Sequence, residues 1–396
     1  KLFTTRCILC QRCTRFCDEI TGTSELGVVQ MGSKSEISTF EGVPLDNKMS
    51  ANVADICPVG ALVTNDFLYK PRIWNYEKVN TVCPGCATGC NTTVEVMDQK
   101  IYRTRPRHNE DVNDYWMCDE GRFCYNDWQD LDRLQSPMKR VGEELCQVTW
   151  PDAMEFVIEG IKRVLNKNKG TTMGVVGSTM ATNEENYLLQ KLASMAFKTS
   201  RIGLIKNANG ESWTAKSGFH IDGDKSPNSQ GATDMLGVDS MDNILKGIDD
   251  GSIIGLYVLG GNPKLDITDE LREKFKKLEF LVVHDVSQTN LAEIADIVFP
   301  TTIPFEKTGS MTNSQGRVQL LNPAFPQPGS ARDDIIVLKS VGERLGIDIG
   351  STNPDIIFEE IGAKVEEYTG LTYSMIGEKG AIKGNVDTSI NNVGGE

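Results

Sequence analysis

The chain of 396 residues has no long hydrophobic run; its longest nearly unbroken apolar stretch, Ile253 to Leu259, is too short to cross a bilayer. No signal peptide opens the sequence, so any membrane link is expected to run through a partner. Histidine is scarce. His108, His220 and His284 are far apart and lack metal-ligand spacing, so a surface or core position is expected for each. A basic stripe is missing too: 41 Lys and Arg stand against 55 Asp and Glu, and the formal charge of −14 argues against a nucleic-acid surface. Eleven cysteines fall far short of a disulfide scaffold in a chain this long. Ten of them precede residue 125, which points to metal in a reducing compartment. No acid–base pair or nucleophile arrangement is present, so no bond-making step is assigned to side chains. The length predicts two or three domains, and 39% apolar residues suffice for real cores.

What the chain does have is thiols at ligand spacing. Cys83-Pro84-Gly85-Cys86-Ala87-Thr88-Gly89-Cys90 presents three, and Cys118 follows after twenty-seven residues. Such a local triplet with a remote fourth is the usual way to hold a [4Fe–4S] cluster. Gly85 and Gly89 remove side chains beside the ligands, so backbone can approach the inorganic sulfides. Structural zinc also accepts four cysteines, although its modules normally use paired Cys-x2-4-Cys knuckles.

Upstream, Cys7-Ile8-Leu9-Cys10-Gln11-Arg12-Cys13 is a Cys-x2-Cys-x2-Cys run of bacterial-ferredoxin type. Its fourth ligand should be remote and followed by proline, and Cys57-Pro58-Val59-Gly60-Ala61-Leu62 answers that description. Two [4Fe–4S] clusters are therefore expected. Cys17 precedes Asp18 rather than proline and has no second local triplet to serve, so it reads as a free thiol. Arg6, Arg12 and Arg15 flank the loop, either raising the potential of a net-negative cluster or pairing with Asp18 and Glu19.

These residues carry a resemblance. Arg6 to Cys10, Arg15-Phe16, Glu19 to Gly22 and Asp55 to Leu62 resemble the large iron–sulfur subunit of NADH:quinone oxidoreductase, respiratory complex I, and the similarity continues through the cysteines at 83–118. In that family an N-terminal [2Fe–2S] domain and a His-x3-Cys-x2-Cys-x5-Cys cluster site precede the first motif. The resemblance implies that this chain starts inside a domain, as a fragment or as a version whose missing clusters reside on another polypeptide. It implies a relay of electrons from NADH, through a flavin-carrying partner subunit, toward quinone, in a peripheral arm on the cytoplasmic side of the inner membrane. Further iron–sulfur subunits leading to quinone would be the other partners. The first cluster would lie on the main path. The second sits away from it in the family, and a structural role for it stays open.

A module boundary is expected near Arg72, where one cysteine module gives way to the next. Thr92 to Met97 alternates like a strand, with Ile101 to Arg105 as its hairpin partner. Trp116, Phe123, Tyr125 and Trp128 crowd the end of this small β-rich module, either excluding water from a cluster or forming ordinary core. After Pro137 strands alternate with helices. Thr149 to Asp152 caps a helix with Ala153, Phe156, Val157, Ile161, Val164 and Leu165 at helical spacing. Thr182 to Glu185 caps a second, and Met173 to Val176, Ile253 to Leu259 and Phe280 to Val283 read as buried strands. A charged helix around Leu271, Phe275 and Leu278 joins the last two. The expected architecture is α/β, a doubly wound parallel sheet with its default pocket at the Gly260-Gly261-Asn262 turn.

Residues 139–380 resemble the molybdopterin oxidoreductase fold, most closely formate dehydrogenases, through Thr182 to Tyr187, Gly261-Asn262-Pro263, Ala295 to Pro300 and Glu306 to Asn313. A catalytic member would carry a cysteine or selenocysteine followed by histidine where this chain reads Arg201 to Gly210. It would also place a lysine two residues after the fourth cluster cysteine, where this chain has Glu120, an acid that would oppose a pterin diphosphate. No counterpart of that family's C-terminal β-barrel follows Ile382. The expectation is a scaffold without molybdopterin; a molybdenum-dependent formate dehydrogenase, or the relay subunit of an NAD-linked hydrogenase or formate dehydrogenase complex, stays as the alternative. A scaffold carrying clusters only for stability is a third reading. The expected layout is a ferredoxin-like module over 1–71, a second cluster module over 72–137, the scaffold over 138–376 and a flexible tail over 377–396. Asp355 to Tyr368 is expected as a helix with Ile356, Ile357, Ile361 and Val365 as its apolar stripe, and Cys124 and Cys146 as small buried residues.

Overall fold

The computed structural model describes residues 1–167, 173–261 and 267–384. Its contacts divide into two compact units: Lys1–Gln129 with Asn209–Asp224, and Asp130–Ala208 with Lys225–Glu396.

In the first unit, helix α1 (Arg12–Arg15) runs on as a wider turn to Thr21 and is followed by the hairpin of β1 (Leu26–Val29) and β2 (Glu36–Thr39). Helix α2 (Asn52–Ile56) leads to an antiparallel sheet of β3 (Glu77–Val82), β4 (Asn91–Met97) and β5 (Lys100–Pro106). The β4–β5 turn has positive φ at Asp98 and Gln99, the pairing that a two-residue hairpin needs to match strand twist. Val94, Val96 and Ile101 carry its buried face. Helices α3 (Asp119–Phe123) and α4 (Tyr125–Gln129) close this run, with Tyr125 and Trp128 buried and Trp116 packed on Phe16 at 5.0 Å between ring centres.

A buried polar brace ties α2 to the start of α3. The Asn52 amide donates to the carbonyls of Met49 and Met117 at 2.7 and 2.8 Å, and its oxygen accepts from Arg122 Nη2 at 3.0 Å. Arg122 Nη1 lies 2.7 Å from Asp55 Oδ2, and Asp119 accepts from Ser50 Oγ at 2.6 Å and Ala51 N at 3.0 Å. Leaving any of these groups unpaired in the interior would cost on the order of 1–3 kcal/mol, so the brace fixes the approach of the two helices.

In the second unit, β6 (Met138–Val141) and β7 (Glu144–Gln147) form a hairpin before helix α5 (Trp150–Lys167), strand β8 (Met173–Ser178), helix α6 (Asn183–Lys191) and strand β9 (Ile202–Ile205). The chain then contributes β10 (Trp213–Thr214) and β11 (His220–Ile221) to the first unit. It resumes with α7 (Ser229–Leu236), α8 (Asp242–Asp249), β12 (Gly255–Leu259), α9 (Asp269–Phe275), β13 (Phe280–Asp285) and β14 (Ile297–Pro300). Among the described residues seven strands make one sheet in the order β7-β6-β14-β13-β12-β8-β9, parallel from β14 to β9 with the β6–β7 hairpin antiparallel at one edge. Its inner strands are buried on both faces. Val175, Tyr257 and Val282 point into one core with Val157 and Ile161 of α5, while Val176, Leu256 and Leu281 point into another with Ile244 of α8 and Phe275 of α9. This is the doubly wound arrangement that the continuous apolar strands predict.

Strand order reverses between β8 and β12, where such sheets place ligands. There the Ser178 hydroxyl donates to the Gly260 carbonyl at 2.9 Å; Asn262 and Pro263 of the predicted turn lie outside the described residues. The Thr182 capping box forms, with Glu185 N donating to Thr182 Oγ1 at 3.2 Å and Glu185 Oε2 accepting from Thr182 N at 2.7 Å. Lys307 pairs with Glu185 at 2.8 Å, and His284 bridges Tyr257 at 2.7 Å and Asp334 at 2.6 Å, so this histidine is a core residue.

Two expectations are corrected. Cys146 is exposed rather than buried, because β7 is the edge strand and this side chain faces away from the sheet's cores. The helix predicted from Asp355 to Tyr368 is α11 (Pro354–Lys364), following α10 (Asp334–Arg344); it ends where Val365 turns extended, and Ile356 faces solvent. Ile357 and Ile361 are buried as expected. Ala381–Ile382 pairs with Arg317–Leu321, and residues 385–396 of the predicted tail lie outside the described residues.

Two candidate cysteine sites

Cys7, Cys10, Cys13 and Cys57 line one small cavity, together with Ile8, Arg12, Val59 and Leu62. Positive φ at Leu9 and Gln11 winds the Cys-x2-Cys-x2-Cys loop, leaving Cys13 buried and Cys10 exposed, a strained backbone of the kind found at functional sites. Cys57 ends α2, because Pro58 cannot continue a helix, and the chain folds back over its sulfur. Leu62 N–H donates to Cys57 Sγ at 3.4 Å, and Leu9 N–H to Cys7 Sγ at 3.4 Å. Partial burial pushes the Cys57 thiol up, but the N–H groups of Leu62, Val59, Ala61 and Gly60 outweigh it and hold its pKa below the ordinary thiol value. Burial raises that of Cys13. Of the flanking cations, Arg15 pairs with Glu19 at 3.0 Å, Arg6 donates to the Gly60 carbonyl at 3.3 Å, and Arg12 stands on the cavity wall.

Cys83, Cys86, Cys90 and Cys118 are all buried, at 4–6% exposure. Cys83 N donates to the Cys90 carbonyl at 2.9 Å, which closes the loop. Burial first, then the neighbouring Cys83, Cys86 and Cys118 thiols, drives the Cys90 pKa well above its ordinary value; Cys118 is raised by burial and by Cys83 and Cys86. Cys90 and Cys118 therefore each lie close enough to Cys83 and Cys86 to feel their charge, in a buried setting. Cys118 caps α3 and accepts from Gly121 N at 3.2 Å. Gly121 is the residue that sequence reasoning missed: a Cβ there would lie 2.8 Å from Cys83 Sγ and 3.3 Å from Cys118 Sγ. Gly85 is similar at 3.4 Å from Cys83 Sγ, and Gly89 adopts a φ of +67°. The segment 209–224 fastens the loop, with Ala87 N donating to Asp224 O at 2.9 Å and Asp222 N to Thr88 Oγ1 at 2.9 Å.

The remaining thiols divide. Cys17 is fully buried, does not line the first cavity, and has its pKa pushed up to about 11, by burial and then by Glu25. Cys124 is buried beside Cys83. His108 stacks on Tyr115 at 4.1 Å, and His220 is exposed, with Nδ1 2.8 Å from Thr214 Oγ1. Among the described residues no three His, Cys, Asp or Glu side chains converge closely enough for a single metal ion. The first set surrounds a cavity rather than a point.

Family comparison gives three matches along the chain. Residues 1–63 match the ferredoxin-like domain of NADH-quinone oxidoreductase subunit 3, and residues 76–129 the molybdopterin oxidoreductase Fe4S4 domain. Residues 133–210 and 204–344 match molybdopterin oxidoreductase, more than half of the chain. The chain belongs to the molybdopterin oxidoreductase family. Among relatives of this family member, the NADH-ubiquinone oxidoreductase 75 kDa subunit of Reclinomonas americana is 36% identical over 204 residues, 52% of this chain and 29% of that protein. NADH-quinone oxidoreductase subunit 3 of Thermus thermophilus is 35% identical over 198 residues, 50% of this chain and 24% of that protein. The matched stretch spans less than a third of the length of these curated relatives. Acetylene hydratase from Pelobacter acetylenicus superposes with a TM-score of 0.48 at 11% identity, over 75% of this chain and 73% of that one.

Proposed function

We propose that this chain is an electron-relay subunit of an NADH:quinone oxidoreductase, holding one [4Fe–4S] cluster on Cys7, Cys10, Cys13 and Cys57 and a second on Cys83, Cys86, Cys90 and Cys118. When bound, such clusters supply one-electron oxidation and reduction. The single observation that carries the reading is that the four cysteines of the first motif, one of them forty-four residues from the nearest, line the same cavity. That donor set fits a cluster: four sulfurs with backbone N–H groups aimed at two of them. In the second set all four cysteines are buried, and glycine stands at Gly121, where a Cβ would strike sulfur.

The chain's residues act as ligands and insulation, and partners supply donor and acceptor: a flavin-carrying NADH-oxidising subunit and the iron–sulfur subunits leading to quinone. The named relatives support this reading over a formate dehydrogenase. In the second unit, near the switch point, Ser178 bonds to Gly260 and Lys307 to Glu185, which supports a scaffold without molybdopterin. No helix among the described residues is long and apolar enough to cross a membrane, so attachment would be peripheral, through partners on the cytoplasmic side. The test is electron paramagnetic resonance on Cys57→Ala. Loss of one reducible signal with the other retained is expected; two unchanged signals would overturn the assignment.

A further inference from the structure

We propose that the free edge of β3, with the exposed side chains just before it, docks an extended acidic segment of a partner polypeptide, which joins the β3–β4–β5 sheet as a fourth strand. The two edges of this sheet differ. On the β5 side, helices α3 and α4 cover the backbone: Gln129 accepts from Ile101 N at 2.6 Å and donates to its carbonyl at 3.1 Å, and Arg122 Nη1 donates to Thr104 O at 3.4 Å. On the other side, among the described residues, β3 pairs with β4 alone. The bond from Cys83 N to Cys90 O at 2.9 Å sets the phase of that ladder, so Glu77 and Val79 bond β4 while Lys78 turns its N–H and carbonyl outward. Among the described residues nothing bonds those two groups.

The approach to this edge is apolar and cationic. Tyr69, Ile73 and Trp74 are 87%, 53% and 75% exposed. Their backbone is nevertheless anchored, because Tyr76 is buried, packs on Tyr102 with 5.2 Å between ring centres, and donates its hydroxyl to the Pro71 carbonyl at 2.9 Å. Large apolar side chains held out from an anchored segment mark an interaction surface. Lys70, Arg72 and Lys78 are exposed, and none has an ion-pair partner among the described residues. Glu77 is the one acid between Tyr69 and Lys78, although the chain as a whole carries −14. A local surplus of cations on so acidic a chain selects an acidic partner. It also opposes a second copy of this chain, since two such edges paired together would bring these cations against one another. Backbone hydrogen bonds along a sheet edge give an added segment its affinity, and its alternate side chains give specificity.

The experiment is amide hydrogen exchange in the full chain, with and without an acetylated decapeptide of alternating Glu and Val. Excess peptide should slow exchange at Lys78 about tenfold and leave Ile101, on the covered edge, unchanged. Protection should weaken several-fold with a Lys–Val decapeptide, and with the Glu–Val peptide as salt rises to about 1 M. Affinity is read separately by fluorescence anisotropy of the labelled Glu–Val peptide. Lys78→Pro removes the outward N–H without taking a donor from the β4 ladder, and Arg72→Glu reverses a charge; each should weaken binding about tenfold. If Lys78→Pro does not fold, a Glu–Val peptide methylated on alternate backbone nitrogens carries the same expectation. Unchanged exchange at Lys78, or equal protection by the Lys–Val peptide, overturns the inference. A dimer of the chain alone that Lys78→Pro abolishes also overturns it, because the edge would then serve a second copy.

Discussion

Around the first cysteine set, Cys10 is exposed and Ile8 and Val59 are 63% and 38% exposed, whereas the four thiols of the second set are buried, at 4–6% exposure. The two sets present the same ligand chemistry and stabilise it differently. In the first, the backbone turn after Cys57 supplies N–H groups that favour the thiolate before any metal arrives. In the second, burial favours the neutral thiol, and only the charge of a bound metal would offset the cost of four thiolates in a dry pocket. An accessible set with a prepared thiolate suits exchange of electrons with a neighbour. A buried set would need a bound metal to hold thiolates.

The largest expected effect separates the sets outright. Cys57→Ala and Cys118→Ala should each lower iron from about eight to about four per chain, and each should erase a different paramagnetic signal. Loss of both signals from either change would merge the sets into one cooperative site. Next in size is Arg122→Ala, which leaves Asp55 with Arg105 as its remaining ion-pair partner and strips a donor from Asn52. Breaking a buried pair of this kind costs about 3 kcal/mol, and a lower denaturation midpoint with both signals weakened together is expected, because the brace joins the helix before Cys57 to the helix after Cys118. A stability unchanged within about 0.5 kcal/mol would show that the brace is dispensable.

Gly121→Ala is a narrower probe. The added methyl meets Cys83 Sγ at 2.8 Å, so about 1–3 kcal/mol of overpacking should fall on the second set, reducing its iron occupancy and sparing the first. The smallest effect is a pH dependence after chelation of the metal. Thiols whose folded pKa is raised, as at Cys83, Cys90 and Cys118, contribute stability that is complete below the unfolded value of about 8.5 and is lost as pH rises toward the folded pKa. Denaturant midpoints of the metal-free chain should therefore fall above about pH 8.5, with a slope approaching roughly 1.4 kcal/mol per pH unit for each such thiol. A midpoint that rises over that range would contradict the burial argument.

Much of this was legible in the sequence because the relevant signals are local. The spacing of Cys7, Cys10 and Cys13, the proline after Cys57, the Thr182 capping box and the apolar strands each act over a few residues. What escaped depends on contacts distant in sequence. Nothing near Asn209 to Asp224 marks that segment as joining the first unit and fastening the loop around Thr88. Gly121 looks like an ordinary helix residue until the helix lies on Cys83 and Cys118. Cys146 is of a residue type that suits a core, but strand order puts it on an edge. Ile356 matched the apolar period of its helix, yet the helix faces its core through Ile357 and Ile361.

The most direct measurement is the iron, acid-labile sulfide, zinc and molybdenum content of the purified full chain. About eight irons and about eight sulfides per chain, without zinc or molybdenum, is the expected result. One zinc for either set of four thiols, or about one molybdenum per chain, would contradict it.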